Sequence, residues 1–160
     1  MKRYLAILLA VLMMIPTFAM AEGVVKIGVF EPASGDSGAG GKQEMLGMQY
    51  ANTVQPTVEI GGETYKVELV YADNGSSTDK APSAAQQLVS EGVSVVLGSY
   101  GSGVSIAGSQ YFAHAGIPAI GVTCTNPQVT AGNSHYFRIC FLDPFQGTVL
   151  ANYAFKELGA

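Results

Sequence analysis

The stretch 93–130, VSVVLGSYGSGVSIAGSQYFAHAGIPAIGVTCTNPQVT, restricts the fold more than any other part of the chain. It holds two short apolar runs of the kind that form buried strands, separated by a segment, 102–115, that reads as a helix. Each run ends in a loop of small and hydroxyl residues: Gly98-Ser99-Tyr100-Gly101-Ser102 and Thr123-Cys124-Thr125-Asn126-Pro127. In a parallel α/β sheet these loops lie side by side at the carboxyl ends of neighbouring strands, where open sheets bind small polar ligands. Exposed backbone N–H groups and hydroxyls there suit a carboxylate. No side chain in either loop suits bond-breaking chemistry.

The N-terminus reads as a secretory signal. Lys2 and Arg3 form a short basic region, an apolar run follows to Phe18, and Ala19-Met20-Ala21 is a small-x-small cleavage site. The run falls short of the roughly 20 residues of a spanning helix. Residues 1–21 are therefore expected to be removed, leaving 22–160 as one α/β domain, secreted and soluble with no membrane span. No Cys follows the cleavage site, which argues against a lipid anchor.

The whole chain carries a formal net charge of −4. Loss of Lys2 and Arg3 takes the mature chain to about −6. An acidic, Lys/Arg-poor surface argues against nucleic acid and anionic membranes as partners. Few charges and 20 glycines suit a compact α/β domain with tight turns.

The order of elements is β-α-β-α-β-α-β-β-α. A first strand is expected at 24–30, then a flexible Gly/Ser loop at 31–41 and a helix at 42–53. A hairpin turning at Gly61-Gly62 leads into a strand at 65–70. Thr78 or Asp79 caps a helix to Glu91, with Gly92 as its stop. Strands follow at 93–97, 117–122 and 136–141, and Asp143-Pro144 opens a last helix towards Leu158. This pattern predicts a doubly wound, mostly parallel sheet with right-handed crossovers.

Several motifs tempt and fail. Gly35-Asp36-Ser37-Gly38 matches a protease nucleophile segment, but it lies in the first βα loop with no Asp–His spacing to complete a triad. Gly41-Lys42 lacks both the earlier glycine and the following hydroxyl of a phosphate loop, and no GxGxxG follows the first strand. His114 suits a helix C-terminus and His135 a surface loop. The acidic residues are scattered and no carboxylate pair stands out. Neither a metal site nor a cofactor is expected. Cys124 and Cys140 are either two buried thiols or a disulfide. The bond is favoured because both lie just past neighbouring strands, and it would close a loop of about 15 residues worth about 3 kcal/mol.

From Val25 onward the chain also resembles the Leu/Ile/Val-binding proteins, the periplasmic substrate-binding components of branched-chain amino acid ABC transporters. The resemblance is carried by KIGVFEPASG at 26–35, LGSYGSG at 97–103, AGIPAIGVTCTNPQVT at 115–130 and FRICFLDPFQG at 137–147. It implies the first lobe of a two-lobe Venus-flytrap fold that closes on an amino acid and delivers it to a permease. It implies ligand contacts from Ser102 to the carboxylate, Thr125 to carboxylate and ammonium, and the Thr123 carbonyl to the ammonium. Tyr100 and Gly101 fall on the wall of the side-chain pocket. A position that often holds an aromatic residue in that family is Gly40 here. The chain stops before a second lobe, so it reads as a fragment of a longer binding protein. Three rival readings remain open: a sensor of amides, urea or aromatic acids on the same fold, an α/β hydrolase, and a stand-alone interaction domain or inactive fragment.

Overall fold

Strands and helices alternate along the computed structural model, which describes residues 23–160. The expected signal segment 1–21 lies outside the described residues. β1 (Gly23–Glu31) is followed by α1 (Gly38–Val54) and a hairpin of β2 (Thr57–Ile60) and β3 (Glu63–Asp73). Then come α2 (Ala81–Ser90), β4 (Val95–Gly98), α3 (Ser102–His114) and β5 (Ala119–Gly121). A 3₁₀ turn (Pro127–Val129), β6 (Tyr136–Arg138) and α4 (Asp143–Glu157) complete the described chain.

The strands form one sheet in the order β2-β3-β1-β4-β5-β6. All pairs are parallel except the β2–β3 hairpin. Gly61 and Gly62 take φ of +64° and +89°, the left-handed values that a two-residue primed turn demands. β1 has β3 on one side and β4 on the other, so the winding direction reverses between β1 and β4. At such a switch point the loops after the two strands run apart and leave a crevice at their carboxyl ends.

The two faces of the sheet are unequal. On one face Phe30, Ala72 and Val96 meet Ala81, Ala85 and Leu88 of α2 and Val104 and Phe112 of α3, all buried. Phe112 stands edge-on to Phe30, with ring centroids 5.4 Å apart at 83°. α1 lies over the other face, where Ile27, Val67, Leu69 and Leu97 line an apolar groove of about 280 Å³ beside Met48. α4 buries no residue, and Phe145, Leu150, Tyr153 and Phe155 are exposed along it.

Three expectations needed correction. The segment expected as a flexible loop to residue 41 is helical from Gly38. A Cβ at Gly41 would strike the Pro32 carbonyl and ring, so the glycines allow α1 to start against the end of β1. Thr78 and Asp79 cap nothing; α2 begins at Ala81 after a turn in which the Ala81 N–H bonds to the Ser77 carbonyl at 3.0 Å. The cap of α4 is Leu142, and Asp143 lies inside the first turn.

The disulfide expectation is also corrected: Cys124 and Cys140 are free thiols. Cys124 is turned into the core, where its sulfur fills the space beside Gly121, whereas Cys140 lies half-buried past the end of β6. Burial pushes the Cys124 thiol up, against a lowering hydrogen bond from Ser105, so it is held as an unreactive thiol.

Candidate ligand-binding site

Three loops meet above the carboxyl ends of β1, β4 and β5. The first, after β1, is pinned by Asp73 at the end of β3. The Ala33 and Ser34 N–H groups donate to Asp73 Oδ1 at 2.9 and 3.3 Å, and the Ser34 hydroxyl donates to Oδ2 at 2.7 Å. Burial raises the Asp73 carboxyl, but the Ser34 hydroxyl and the N–H groups of Gly75, Ala33 and Ser34 outweigh it and hold the group below its usual range.

The second loop follows β4. Ser99 is buried, and its hydroxyl accepts from Asn74 Nδ2 at 3.0 Å. The Tyr100 N–H donates to Glu31 Oε2 at 2.8 Å across the switch point. The Tyr100 ring is 40% exposed and lies against Gly40, where a Cβ would approach it to 2.5 Å. The ring thus takes the space that an aromatic side chain at position 40 would need. Gly101, extended at φ −98° and ψ 127°, is the N-cap of α3, and Ser102 is the first helical residue. N–H groups in that first turn have no intrahelical acceptor and favour an anion, as does the helix dipole.

The third loop follows β5. Thr123 is exposed; its hydroxyl donates to Glu44 Oε1 of α1, and the Tyr100 carbonyl oxygen lies 3.3 Å from it. The Asn126 N–H donates to Ser102 Oγ at 3.3 Å. The Thr125 carbonyl accepts from the Asp143 N–H at 3.1 Å, tying the loop to α4. The Thr125 hydroxyl itself has no hydrogen-bond partner among the described residues.

The five residues expected from sequence are therefore brought together. Tyr100, Gly101 and Ser102 form one edge and Thr123 and Thr125 the other, joined by the Tyr100–Thr123 and Ser102–Asn126 contacts. His114 and His135 lie apart from it, and among the described residues the His135 ring is paired only with Ser134.

Two elements of the site are not apparent from the sequence. Arg138 of β6 lies under the third loop. Its guanidinium donates to the carbonyls of Cys124 (2.9 Å), Asn126 (2.8 Å) and Pro127 (3.2 Å) and to Thr130 Oγ1 (2.8 Å). The other is a carboxyl pair. Glu31 ends β1 fully buried, and burial pushes its carboxyl up to about 10. A hydrogen bond to Glu44 and its charge push the same way, while the Tyr100 N–H pulls down. Glu31 is thus neutral at pH 7 and can donate to Glu44.

Comparison with known proteins gives the family and the fold. Residues 24–160 match the family described as periplasmic binding protein. The chain belongs to that family. A Leu/Ile/Val-binding protein homologue from Brucella abortus is 36% identical over 141 residues, which cover 87% of this chain and 37% of that protein. A leucine-binding protein from Thermotoga maritima superposes with a TM-score of 0.78 at 37% identity, covering 85% of this chain and 38% of that one. A branched-chain amino acid transporter substrate-binding protein from Streptococcus pneumoniae, solved with isoleucine, gives 0.76 at 33% identity, covering 86% and 39%. A solute-binding protein from Rhodopseudomonas palustris, solved with 4-hydroxybenzoate, gives 0.73 at 26% identity, covering 86% and 37%. The chain thus spans under two fifths of the length of these relatives and corresponds to one lobe of their two-lobe fold.

Proposed function

We propose that the protein to which this lobe belongs is an extracytoplasmic, non-enzymatic receptor for a branched-chain or similar aliphatic amino acid, which it hands to an ABC permease. The carrying observation is the juxtaposition of Ser102, at the N-terminus of α3, with the hydroxyl-bearing loop after β5. The ligand carboxylate takes the first-turn N–H groups of α3 and the Ser102 hydroxyl. The ammonium takes the Thr123 carbonyl and the Thr125 hydroxyl, and the side chain lies towards Tyr100 and Gly101. Neutral donors and acceptors hold a zwitterion without a fixed counter-charge, which leaves it free to depart when the cleft opens. The secretory pattern at 1–21 supports export. Ser102 accepts from a backbone N–H and has no histidine bonded to it among the described residues, which supports binding over catalysis.

The exposed Tyr100 ring favours one second reading, an aromatic acid stacked on that ring. Calorimetric titration of the protein as its gene encodes it, with leucine, isoleucine, valine and 4-hydroxybenzoate, separates the two. Binding of an aliphatic amino acid that weakens in Ser102→Ala supports the first reading. Binding of 4-hydroxybenzoate alone replaces it with the second.

A further inference from the structure

Two buried carboxyl oxygens, Glu31 Oε1 and Glu44 Oε2, have no hydrogen-bond partner among the described residues. Each belongs to a side chain whose second oxygen holds one of the ligand loops. Glu31 Oε2 takes the Tyr100 N–H at 2.8 Å, and Glu44 Oε1 takes the Thr123 hydroxyl. Glu31 Oε1 is also pressed against Gly98 at the end of β4, where a Cβ would come within 2.6 Å of it. A side chain on position 98 would therefore displace the pair.

We propose that Glu31 and Glu44 form one hydrogen-bonded carboxyl pair that sets the spacing of the two ligand loops, with Glu31 as a positioning residue that reaches Thr123 through Glu44. The proposal rests on the reading of those loops as the ligand site. Two ionised carboxylates packed against each other would repel and part the loops, so the pair needs one proton between them. Burial of Glu31 supplies the reason that it keeps the proton. The titratable groups facing it are Glu44 from α1 and the Tyr136 phenol from β6, the latter held neutral by its own burial and bonded to the Gly98 carbonyl. A glutamine at position 31 keeps both contacts, since its amide NH₂ donates to Glu44 and its oxygen accepts from Tyr100. An alanine keeps neither.

The test uses the protein as its gene encodes it. Carboxyl-carbon and amide resonances are followed by NMR from pH 5 to 9, beside isoleucine titrations of wild type, Glu31→Ala and Glu31→Gln. The Glu31 carboxyl carbon is expected to remain at its protonated position through pH 7. In Glu31→Ala both the Tyr100 and Thr123 amides move, and isoleucine affinity falls about tenfold; Glu31→Gln restores it to within about twofold. Titration of Glu31 in the ordinary carboxylate range overturns the proposal, as does a Glu31→Ala spectrum in which Thr123 stays in place. Equal loss of affinity in Glu31→Gln also overturns it. If wild type binds no isoleucine, the functional reading falls, and the NMR arm still decides the pair. If Glu31→Ala does not fold, the wild-type carbon titration and the Glu31→Gln amides decide.

Discussion

The backbone N–H of Asn126 donates to the hydroxyl of Ser102 at 3.3 Å, so the loop after β5 is bonded to the first helical residue of α3. Used as an acceptor, the Ser102 oxygen still has its proton to give. That proton and the adjoining N–H groups are the donors that the proposed anion subsite requires. Ser102→Ala should weaken amino acid binding about tenfold or more, because a hydrogen bond to a charged group is worth about 1.5–3 kcal/mol. Stability should change by less than about 1 kcal/mol, since the lost protein contact is a single half-exposed bond. Calorimetric titration and denaturant unfolding measure the two effects separately. An equal fall in both would mean that Ser102 is structural only.

Arg138 makes the second prediction. Four donors of one guanidinium go to one loop, three of them to backbone carbonyls. Lysine cannot reproduce that fork from a single ammonium. Arg138→Lys and Arg138→Met should both destabilise the fold by about 2–4 kcal/mol, through carbonyls left without donors. Ligand affinity should fall further than stability explains, because Thr125 and Asn126 lie in the loop that is released. Urea unfolding and titration at a temperature where both variants remain folded test this. A lysine variant as stable as wild type would refute the fork argument.

The strands were largely apparent from the sequence, since strands of a parallel sheet buried between helices read as continuous apolar runs. The two small-residue loops were also apparent, because β4 and β5 are joined by a helix and pair in parallel. What was missed follows from contacts distant in sequence. Helix propensity counts against Gly38, Gly40 and Gly41, and the close approach of α1 to Pro32 overrides it. Arg138 bonds to backbone carbonyls, which any sequence supplies, so nothing marks its role. Glu31 left one trace: it is an acidic residue directly after the apolar strand VVKIGVF. Glu44 lies inside α1, and only the fold brings the two together.

Stability should depend on pH through two carboxyls of opposite sense. Glu31 has a folded-state value of about 10 against an ordinary 4.5. Its contribution is therefore fully present below pH 4.5 and is lost as pH rises towards 10. Asp73 is held below its ordinary 3.8, so its contribution is present above that value and is lost as the solution is made more acid. Unfolding midpoints should fall on the alkaline side in wild type and flatten there in Glu31→Gln. The acid limb should remain in Glu31→Gln and flatten in Asp73→Asn. An alkaline slope unchanged in Glu31→Gln would remove Glu31 as its source.

Gly40→Ala should change selectivity more than stability. The added methyl meets the Tyr100 ring at 2.5 Å, and that ring is 40% exposed and free to swing towards the cleft. The side-chain pocket narrows, so leucine and isoleucine should lose affinity while alanine is little affected. Stability should change little, because the gain of about 1 kcal/mol for alanine over glycine within α1 opposes the cost of moving the Tyr100 ring. Competition titrations against the aliphatic series give the comparison, and a uniform loss across all ligands would count against the ring as the pocket wall.

Gly108→Ala sets two opposed effects against each other. Alanine in a helix interior gains about 1 kcal/mol over glycine. At this position of α3, however, a Cβ would lie 2.6 Å from Phe30 Cζ and 2.9 Å from Cε1. Phe30 is fully buried and held edge-on by Phe112, so its ring cannot yield as Tyr100 can. Overpacking of this kind costs about 1–3 kcal/mol. The steric cost should win, giving net destabilisation and a lower melting temperature. Gly103→Ala on the same helix serves as the control, because its Cβ would meet only Thr78 Cγ2 at an ordinary 3.7 Å. A melting temperature raised in both variants would show that α3 can move off the sheet, and the tight packing of α3 on Phe30 would then not be what fixes the first turn at Ser102.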